Sequence, residues 1–266
     1  MLVNVTLIPF FLGIVANVSE DSYFNPEYLY KMNKIKIEYG VYDDITKLNS
    51  TIACHPIQMK ILRCYLYDIT SNYLDEKFIL SNLQGKWFEM EFNNRGVLNA
   101  SKPKSNVPKN SRNFIRDIVS QFNININIKI HGFEEDRYLG IMNENTLIGI
   151  CTTTYNTAII YREKNANEQM DSNFQIRLLK NHFFDQKDLH VHIVKNRQNC
   201  TYSSDFVNFL KDGKVTTYDH IIKLIDNKLK FITTLEMRLF YSRNSMGRPK
   251  FKETTELNLI DIRARK

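Results

Sequence analysis

The chain has 266 residues and a mass of 31.4 kDa, with 43% apolar and 24% charged residues. These proportions, with only 9 glycines and 6 prolines, exclude collagen-like and intrinsically disordered chains. Lysines and arginines number 36 against 29 acidic residues, so the formal net charge is +7 and favours acidic partners without identifying one. The longest uncharged apolar run, Val5–Val18, is shorter than the roughly 20 residues of a membrane-spanning helix, which excludes a multi-pass membrane protein.

The first 19 residues resemble a secretory signal peptide. An apolar stretch from Val5 to Ala16 has the length of a signal core, and Glu20 is the first charged residue. No basic residue precedes the stretch, so a buried first strand is the alternative. We expect residues 1–19 to be a signal peptide and residues 20–266 to form one domain.

Two further features favour the secretory pathway. The four cysteines are even in number and lack the close C-x-x-C spacing of zinc or redox sites. Three N-glycosylation triplets lie beyond the predicted signal peptide, which makes a secreted glycoprotein our expectation. The acceptor residues are Asn49, Asn99 and Asn199.

Alternation of apolar and polar residues with period two recurs along the chain and predicts strands with one apolar face. The clearest predicted strands are Lys34–Tyr39, Trp87–Phe92, Asn123–Ile130, Leu189–Val194 and Leu229–Leu239.

One segment, Ser111–Phe122, has the i, i+4, i+8 spacing of an amphipathic helix. A shorter helical turn is predicted at Tyr218–Ile225, and the polar stretches Ser101–Ser111 and Lys164–Ser172 are predicted loops. A single amphipathic helix among many strands predicts a mainly β fold, in which a strongly curved antiparallel sheet or barrel folds over the helix.

Candidate chemistry is sparse. His190 and His192 are two residues apart on a predicted strand, so both face the same side and are candidate metal ligands. Together with His182, Asp185 and Asp188 they form the densest cluster of potential ligands in the sequence, and the alternative is a solvated strand face beside a charged loop. Phosphate-binding loops, nucleophile elbows and H-E-x-x-H motifs do not occur in the sequence. We therefore expect neither enzymatic activity nor a cofactor.

Other reactive or charged residues have ordinary structural explanations. The acidic run Glu134–Arg137 is typical of a solvated loop. Cys54 and Cys64 flank His55-Pro56, which we interpret as a turn that brings them into a disulfide, with two buried thiols as the alternative. The basic clusters Lys102–Lys104 and Arg263–Lys266 are too short to predict nucleic-acid binding.

Four segments, in order, resemble the N-terminal domain of the vitellogenin family of large lipid transfer proteins. They are a strand ending in a glycine turn, a helix, a glycine–cysteine–threonine–tyrosine strand and a lysine–arginine–asparagine–cysteine segment. These correspond to Trp87–Gly96, Lys109–Phe122, Gly149–Tyr155 and His190–Cys200, and Thr217–Ile262 resembles the closing strands.

The resemblance implies a barrel-like antiparallel sheet wrapped around one central helix, and a Cys151–Cys200 disulfide. Because the chain ends at Lys266, where that first domain would end, we expect a recognition module without the family's large lipid cavity. The implied partner is a vitellogenin-type receptor, similar to the low-density-lipoprotein receptor, or a cell surface. A small lipid carrier or storage protein is the alternative, and an immune binder of pathogen surfaces stays open.

Overall fold

The computed structural model describes most of the chain with its side chains, and the following account concerns those residues only. They are residues 2–8, 12–17, 26–58, 60–73, 83–93, 96–101, 109–124, 135–163, 174–178, 187–210, 213–242 and 245–264.

Fourteen strands and two helices make up these residues. The helices are α1 (Lys109–Gln121) and α2 (Ser204–Leu210). The strands are β1 (Leu2–Ile8), β2 (Leu12–Asn17), β3 (Pro26–Glu38), β4 (Asp44–Gln58), β5 (Ile61–Ser71), β6 (Trp87–Asn93), β7 (Gly96–Ser101), β8 (Glu135–Asn145), β9 (Gly149–Glu163), β10 (Phe174–Leu178), β11 (Lys187–Tyr202), β12 (Gly213–Ile225), β13 (Lys228–Ser242) and β14 (Ser245–Ala264). Neither helix is long and apolar enough to cross a membrane.

Eleven strands form one antiparallel sheet in the order β7-β6-β5-β4-β3-β14-β13-β12-β11-β9-β8. The prediction of a mainly β fold is confirmed, but the prediction of a barrel is wrong. The outermost described strands, β7 and β8, do not pair with each other, so the sheet stays open. Helix α1 packs against one face of this open sheet, which we call the inner face. Side-chain packing between α1 and the inner face takes the place of the edge-to-edge hydrogen bonds that would close a barrel.

The predicted strands are present for four of the five segments, which correspond to β3, β6, β11 and β13. The predicted apolar face is buried in β6, β11 and β13, but in β3 the faces are reversed: Ile35 is 41% exposed, whereas Lys34 faces inward and contacts Asp117. The fifth, Asn123–Ile130, lies outside the described residues beyond Ile124. Residues 102–108 and 164–172 of the two predicted loops also lie outside the described residues. The last three residues of the first predicted loop, 109–111, belong to α1.

The helical turn predicted at Tyr218–Ile225 is wrong, because these residues belong to β12. Over such a short stretch, the spacing of the apolar residues fits both the helical period of about 3.6 and the strand period of two. In the structure Tyr218, His220, Ile222 and Leu224 are buried, and the residues between them are more exposed. Pairing with strands on both sides therefore determines the conformation.

The predicted signal segment contributes β1 and β2 to a second, three-stranded sheet, in which β2 also pairs with β10. This arrangement corresponds to the alternative of a first strand. Cleavage of residues 1–19 stays a prediction.

Helix α1 was predicted within two residues of its observed bounds. Its apolar stripe packs on the inner face of the sheet, where Phe114, Ile115 and Ile118 are buried. Phe122, which follows the helix, places its ring 5.3 Å from those of both Tyr30 and Phe231. Burial of these side chains supplies the apolar contact that holds the helix against the strands.

Candidate functional site

A row of polar side chains crosses the inner face of the sheet, one from each of six neighbouring strands, at directly opposed register positions. It separates two hydrophobic clusters: on β13, Phe231 lies on one side and Leu235 on the other. We call it the inner polar row. Its members are Lys34, Thr255, Thr233, His220, Lys195 and Tyr155.

Three members of the inner polar row bind α1 and the residues just after it. The Lys34 ammonium lies 2.5 Å from a carboxylate oxygen of Asp117. The Thr233 hydroxyl donates to Gln121 Oε1 at 2.9 Å. The Lys195 ammonium donates to the backbone carbonyl of Asn123. These directional contacts fix where along the sheet the helix lies.

Lys195 of the inner polar row also belongs to a buried ion triad with Glu144 and Arg197. Lys195 Nζ donates to Glu144 Oε1 at 3.0 Å, and Arg197 Nε donates to Glu144 Oε2 at 2.8 Å. The hydroxyl of Thr153 donates a further bond to the same carboxylate, at 3.0 Å. Two cations thus share one anion away from water, and the triad has a net charge of +1.

The triad determines the protonation of its neighbours. Burial alone would raise the pKa of Glu144, but the charges of Lys195 and Arg197 hold it well below its usual range. Burial, aided by repulsion from Arg197, lowers the pKa of Lys195 to about 8. Burial and the two nearby cations also lower the pKa of His220 far enough to keep its imidazole neutral at physiological pH.

The sequence contains a signal for the two cations of this triad. Lys195 and Arg197 continue the alternation of Leu189, Val191 and Ile193, which places both cations on the buried face. Buried cations require an anion, and Glu144 supplies it from β8.

The outer face of the sheet has a second row, made of basic side chains, which is the candidate recognition surface. Lys31, Lys230, Lys223 and His192 lie in one cross-strand line over β3, β14, β13, β12 and β11, with Asn258 as the β14 member. We call these four residues the outer cationic row.

The outer cationic row places like charges opposite one another, since Lys223 and Lys230 are direct cross-strand neighbours. Such pairs destabilise a sheet. Lys230 has a carboxylate partner, Glu256, at 2.9 Å, whereas Lys31 and Lys223 have none among the described residues. Partial burial and the charge of Lys223 lower the pKa of His192. An acidic partner bound to this surface would therefore relieve the repulsion between its lysines.

The histidines proposed as metal ligands have other surroundings. His192 belongs to the outer cationic row, and His190 Nε2 lies 3.3 Å from Asp226 Oδ1. His182 and Asp185 lie outside the described residues, as does the side chain of Asp188. Within the described ranges no group of three potential ligands comes together.

The cysteines lie in the predicted pairs. The sulfur atoms are 2.01 Å apart for Cys54 and Cys64, which are opposed on β4 and β5, and 2.04 Å apart for Cys151 and Cys200 on β9 and β11. His55 and Pro56 do not form the predicted turn, because β4 continues to Gln58 before the chain reverses.

The remaining predicted sites lie on the surface or outside the described residues. The side chains of Asn49, Asn99 and Asn199 are exposed, as glycan acceptors must be. In the acidic run Glu134–Arg137, the only side chain described is the exposed Arg137. Lys102–Lys104 is outside the described residues, and Arg263 is paired with Glu27 at 2.7 Å.

Comparisons with known proteins agree with the fold. A family model described as the vitellogenin N-terminal domain matches residues 69–229, which is more than half of the chain. A chain from the structure described as "Lipid-protein interactions in lipovitellin" aligns with a TM-score of 0.59 and 11% identity. The alignment covers 91% of this chain and 26% of that one, so this chain spans about a quarter of that lipovitellin chain. No curated protein matches.

The lowered pKa of Lys195 predicts a particular pH dependence of stability. Between about pH 8 and the ordinary lysine pKa of about 10.4, the unfolded chain binds more protons at this site than the folded chain. The contribution of Lys195 therefore rises with pH. Relative to Lys195→Met, wild type should gain about 2 kcal/mol in free energy of unfolding between about pH 7.5 and pH 9.5.

Lys34→Met is the matched control for this experiment, because the charges of Asp117 and Glu253 outweigh burial and raise the pKa of Lys34. The Lys34→Met comparison should stay nearly flat over the same range. Denaturant unfolding at several pH values measures both differences, and parallel curves for wild type and Lys195→Met would contradict the prediction.

The cysteine geometry predicts the products of peptide mapping without reduction. One cross-linked product should join Cys151 to Cys200 and a second should join Cys54 to Cys64, since Cys54 and Cys64 are opposed on β4 and β5 and the other two lie on the paired strands β9 and β11. Alkylation before and after reduction provides the control. Free thiols at these positions in the protein purified from its native source, or crossed pairing, would contradict both assignments.

Proposed function

The chain belongs to the vitellogenin N-terminal domain family, a family of lipid-transport proteins, and from this premise we propose that it acts as a secreted recognition module. In this proposal the module binds a vitellogenin-type receptor, or another acidic cell-surface partner, through the outer cationic row. Catalysis has no part in it.

The outer cationic row is the observation that carries the proposal. Three lysines lie in one cross-strand line, Lys223 and Lys230 repel each other as direct neighbours, and only one of the three has a described carboxylate partner. An acidic surface that covered the row would remove this repulsion and add favourable charge pairs. Long-range attraction would also speed the encounter, and salt would weaken it.

The inner face supports recognition over bulk lipid carriage. Helix α1 and its buried side chains occupy the position in which a lipid store would need open space. The charged groups of the inner polar row cross the same face, and an apolar cargo would leave them unsolvated.

Secretion is part of the proposal. Two cysteine pairs at bonding distance fit an extracellular protein, since disulfides persist in oxidising compartments. We propose cleavage of a signal peptide within residues 1–19, leaving residues 20–266 as one domain. Glycans at Asn49, Asn99 and Asn199 would lie on exposed positions.

A small lipid carrier or storage protein is the second candidate, and the likeness to a lipovitellin chain favours it. Many aromatic and isoleucine side chains lie in the interior, but the described ones pack against each other. An immune protein that binds pathogen surfaces would use the same outer face, so binding measurements must separate it from a receptor ligand.

Removal of two charges from the outer cationic row should weaken receptor binding. In Lys223→Gln/Lys230→Gln, we expect the Kd for the ectodomain of the vitellogenin-type receptor from the same organism to rise about tenfold, because two favourable charge pairs are lost. Surface plasmon resonance at low and high salt measures the effect, and high salt should reduce the difference between variant and wild type.

The control is Lys60→Gln/Lys86→Gln, which removes the same charge from two exposed turn positions near β5 and β6. It should bind the ectodomain like wild type. Equal weakening by both double variants would assign the effect to net charge alone, and absence of binding by wild type would reject the receptor proposal.

A further inference from the structure

The three-stranded sheet contains a strand edge that processing of the chain would uncover. In the structure β2 lies between β1 and β10, and its residues Leu12 to Ala16 pair with Leu178 to Phe174 in antiparallel register. Both β1 and β2 lie within residues 1–19, the segment whose cleavage is part of the proposed function. Cleavage would remove these two strands and leave one edge of β10 without a described partner.

Strand β10 is attached to the eleven-stranded sheet by contacts that do not involve β2. The side chain of Asn227, in the turn between β12 and β13, donates from Nδ2 to the carbonyl of Phe174 at 2.7 Å. Its Oδ1 accepts a hydrogen bond from the amide of Ile176, also at 2.7 Å. Ile176 is buried in the hydrophobic cluster that contains Phe231, and Phe174 packs against that cluster. We expect these contacts to hold β10 in place after cleavage.

The same contacts identify the backbone groups that cleavage would expose. The hydrogen-bonding groups of successive residues in an antiparallel strand point to opposite edges. Asn227 binds the groups of Phe174 and Ile176, so those of Gln175 and Arg177 point to β2. Two N–H and two C=O groups would therefore lose β2 as their partner. Such an edge favours the addition of another strand.

Strand β2 shows which sequence fits this edge. Its residues, Leu12–Asn17, include no charged side chain. Leu12 is fully buried, in the same hydrophobic cluster as Ile176. A strand that replaced β2 would need an apolar side chain of similar size, because the space left by Leu12 would otherwise stay empty. A second copy that paired its own β10 here would instead bring Arg177, a charge that β2 does not have.

We infer that β10 of the processed protein binds an extended, uncharged segment of a partner protein by strand addition. The segment runs antiparallel to β10, as β2 does, and places a side chain of leucine size in the position of Leu12. The site shares no residue with the outer cationic row. The inference rests on the cleavage step of the proposed function, and not on the receptor.

Peptide binding to the processed protein tests the inference. The full chain would be expressed in secreting eukaryotic cells, and N-terminal sequencing of the protein in the medium would establish whether residues 1–19 have been removed. The probe is a fluorescent peptide with the sequence of residues 11–19, and anisotropy measures its Kd. Processed protein should bind it at least about tenfold more tightly than unprocessed chain from bacteria with an oxidising cytosol, in which β2 already occupies the edge.

Methylated peptides and two variants locate the hydrogen bonds. Methylation of the amides of Gly13 and Val15, which point to β10, should weaken binding at least about tenfold, because both lose a hydrogen bond. Methylation of the Ile14 and Ala16 amides, which point away from β10, is the matched control and should change the Kd less than about threefold. In the protein, Arg177→Pro removes an amide at the exposed edge and should weaken binding about tenfold, whereas Arg177→Gln should bind like wild type.

Four results would overturn the inference. Retention of residues 1–19 in the medium would leave the edge covered, and absence of peptide binding by the processed protein would show that the edge is not a site. Equal weakening by both methylated peptides would exclude strand addition. Dimers of the processed chain in sedimentation velocity that Arg177→Pro abolishes would assign the edge to a second copy. Receptor binding is measured separately, so its failure would reject the receptor without affecting this site.

Discussion

The inner polar row is the constraint on which the arrangement of this protein depends. Buried polar groups must find partners, and here six strands present theirs at one register position. Helix α1 and the residues just after it bind three of them, through the side chains of Asp117 and Gln121 and the backbone carbonyl of Asn123. A shift of the helix by one turn would break all three contacts, although Lys34 would keep Glu253 and Lys195 would keep Glu144. The row therefore fixes the position of α1, while its apolar stripe supplies the driving force.

This position of α1 assigns different roles to the two faces of the sheet. The helix covers the inner face, leaving a cavity on its polar side, and the outer face presents its cations to solvent. The two faces differ in whether their cationic side chains have carboxylate partners. Inside, each cation has a hydrogen-bonded partner, as Lys195 and Arg197 have in Glu144. Outside, Lys31 and Lys223 have no carboxylate partner among the described residues, which is an arrangement suited to binding.

Local pattern predicted local structure well. Period-two alternation located β3, β6, β11 and β13, and the helical spacing located α1. The alternation identified the buried face of β6, β11 and β13 but not that of β3, where Lys34 faces inward to reach Asp117 and Ile35 is exposed. The error at Tyr218–Ile225 arose where a short apolar stretch fits both periods. Barrel closure and both charged rows depend on which strands pair and in which register, and this information is not local. Lys195 and Arg197 were within reach of the sequence, since alternation alone placed them inside; their partner Glu144, 51 residues away from Lys195, was not.

We propose that a helix-filled inner face makes this member of a lipid-transport family a recognition module and not a carrier of bulk lipid. Lipid content tests it most directly. The protein would be purified from its native source without detergent and extracted with organic solvent, and the lipid per chain would be measured by mass spectrometry. The account predicts no lipid above background. Several lipid molecules per chain, with neutral lipids among them, would contradict it.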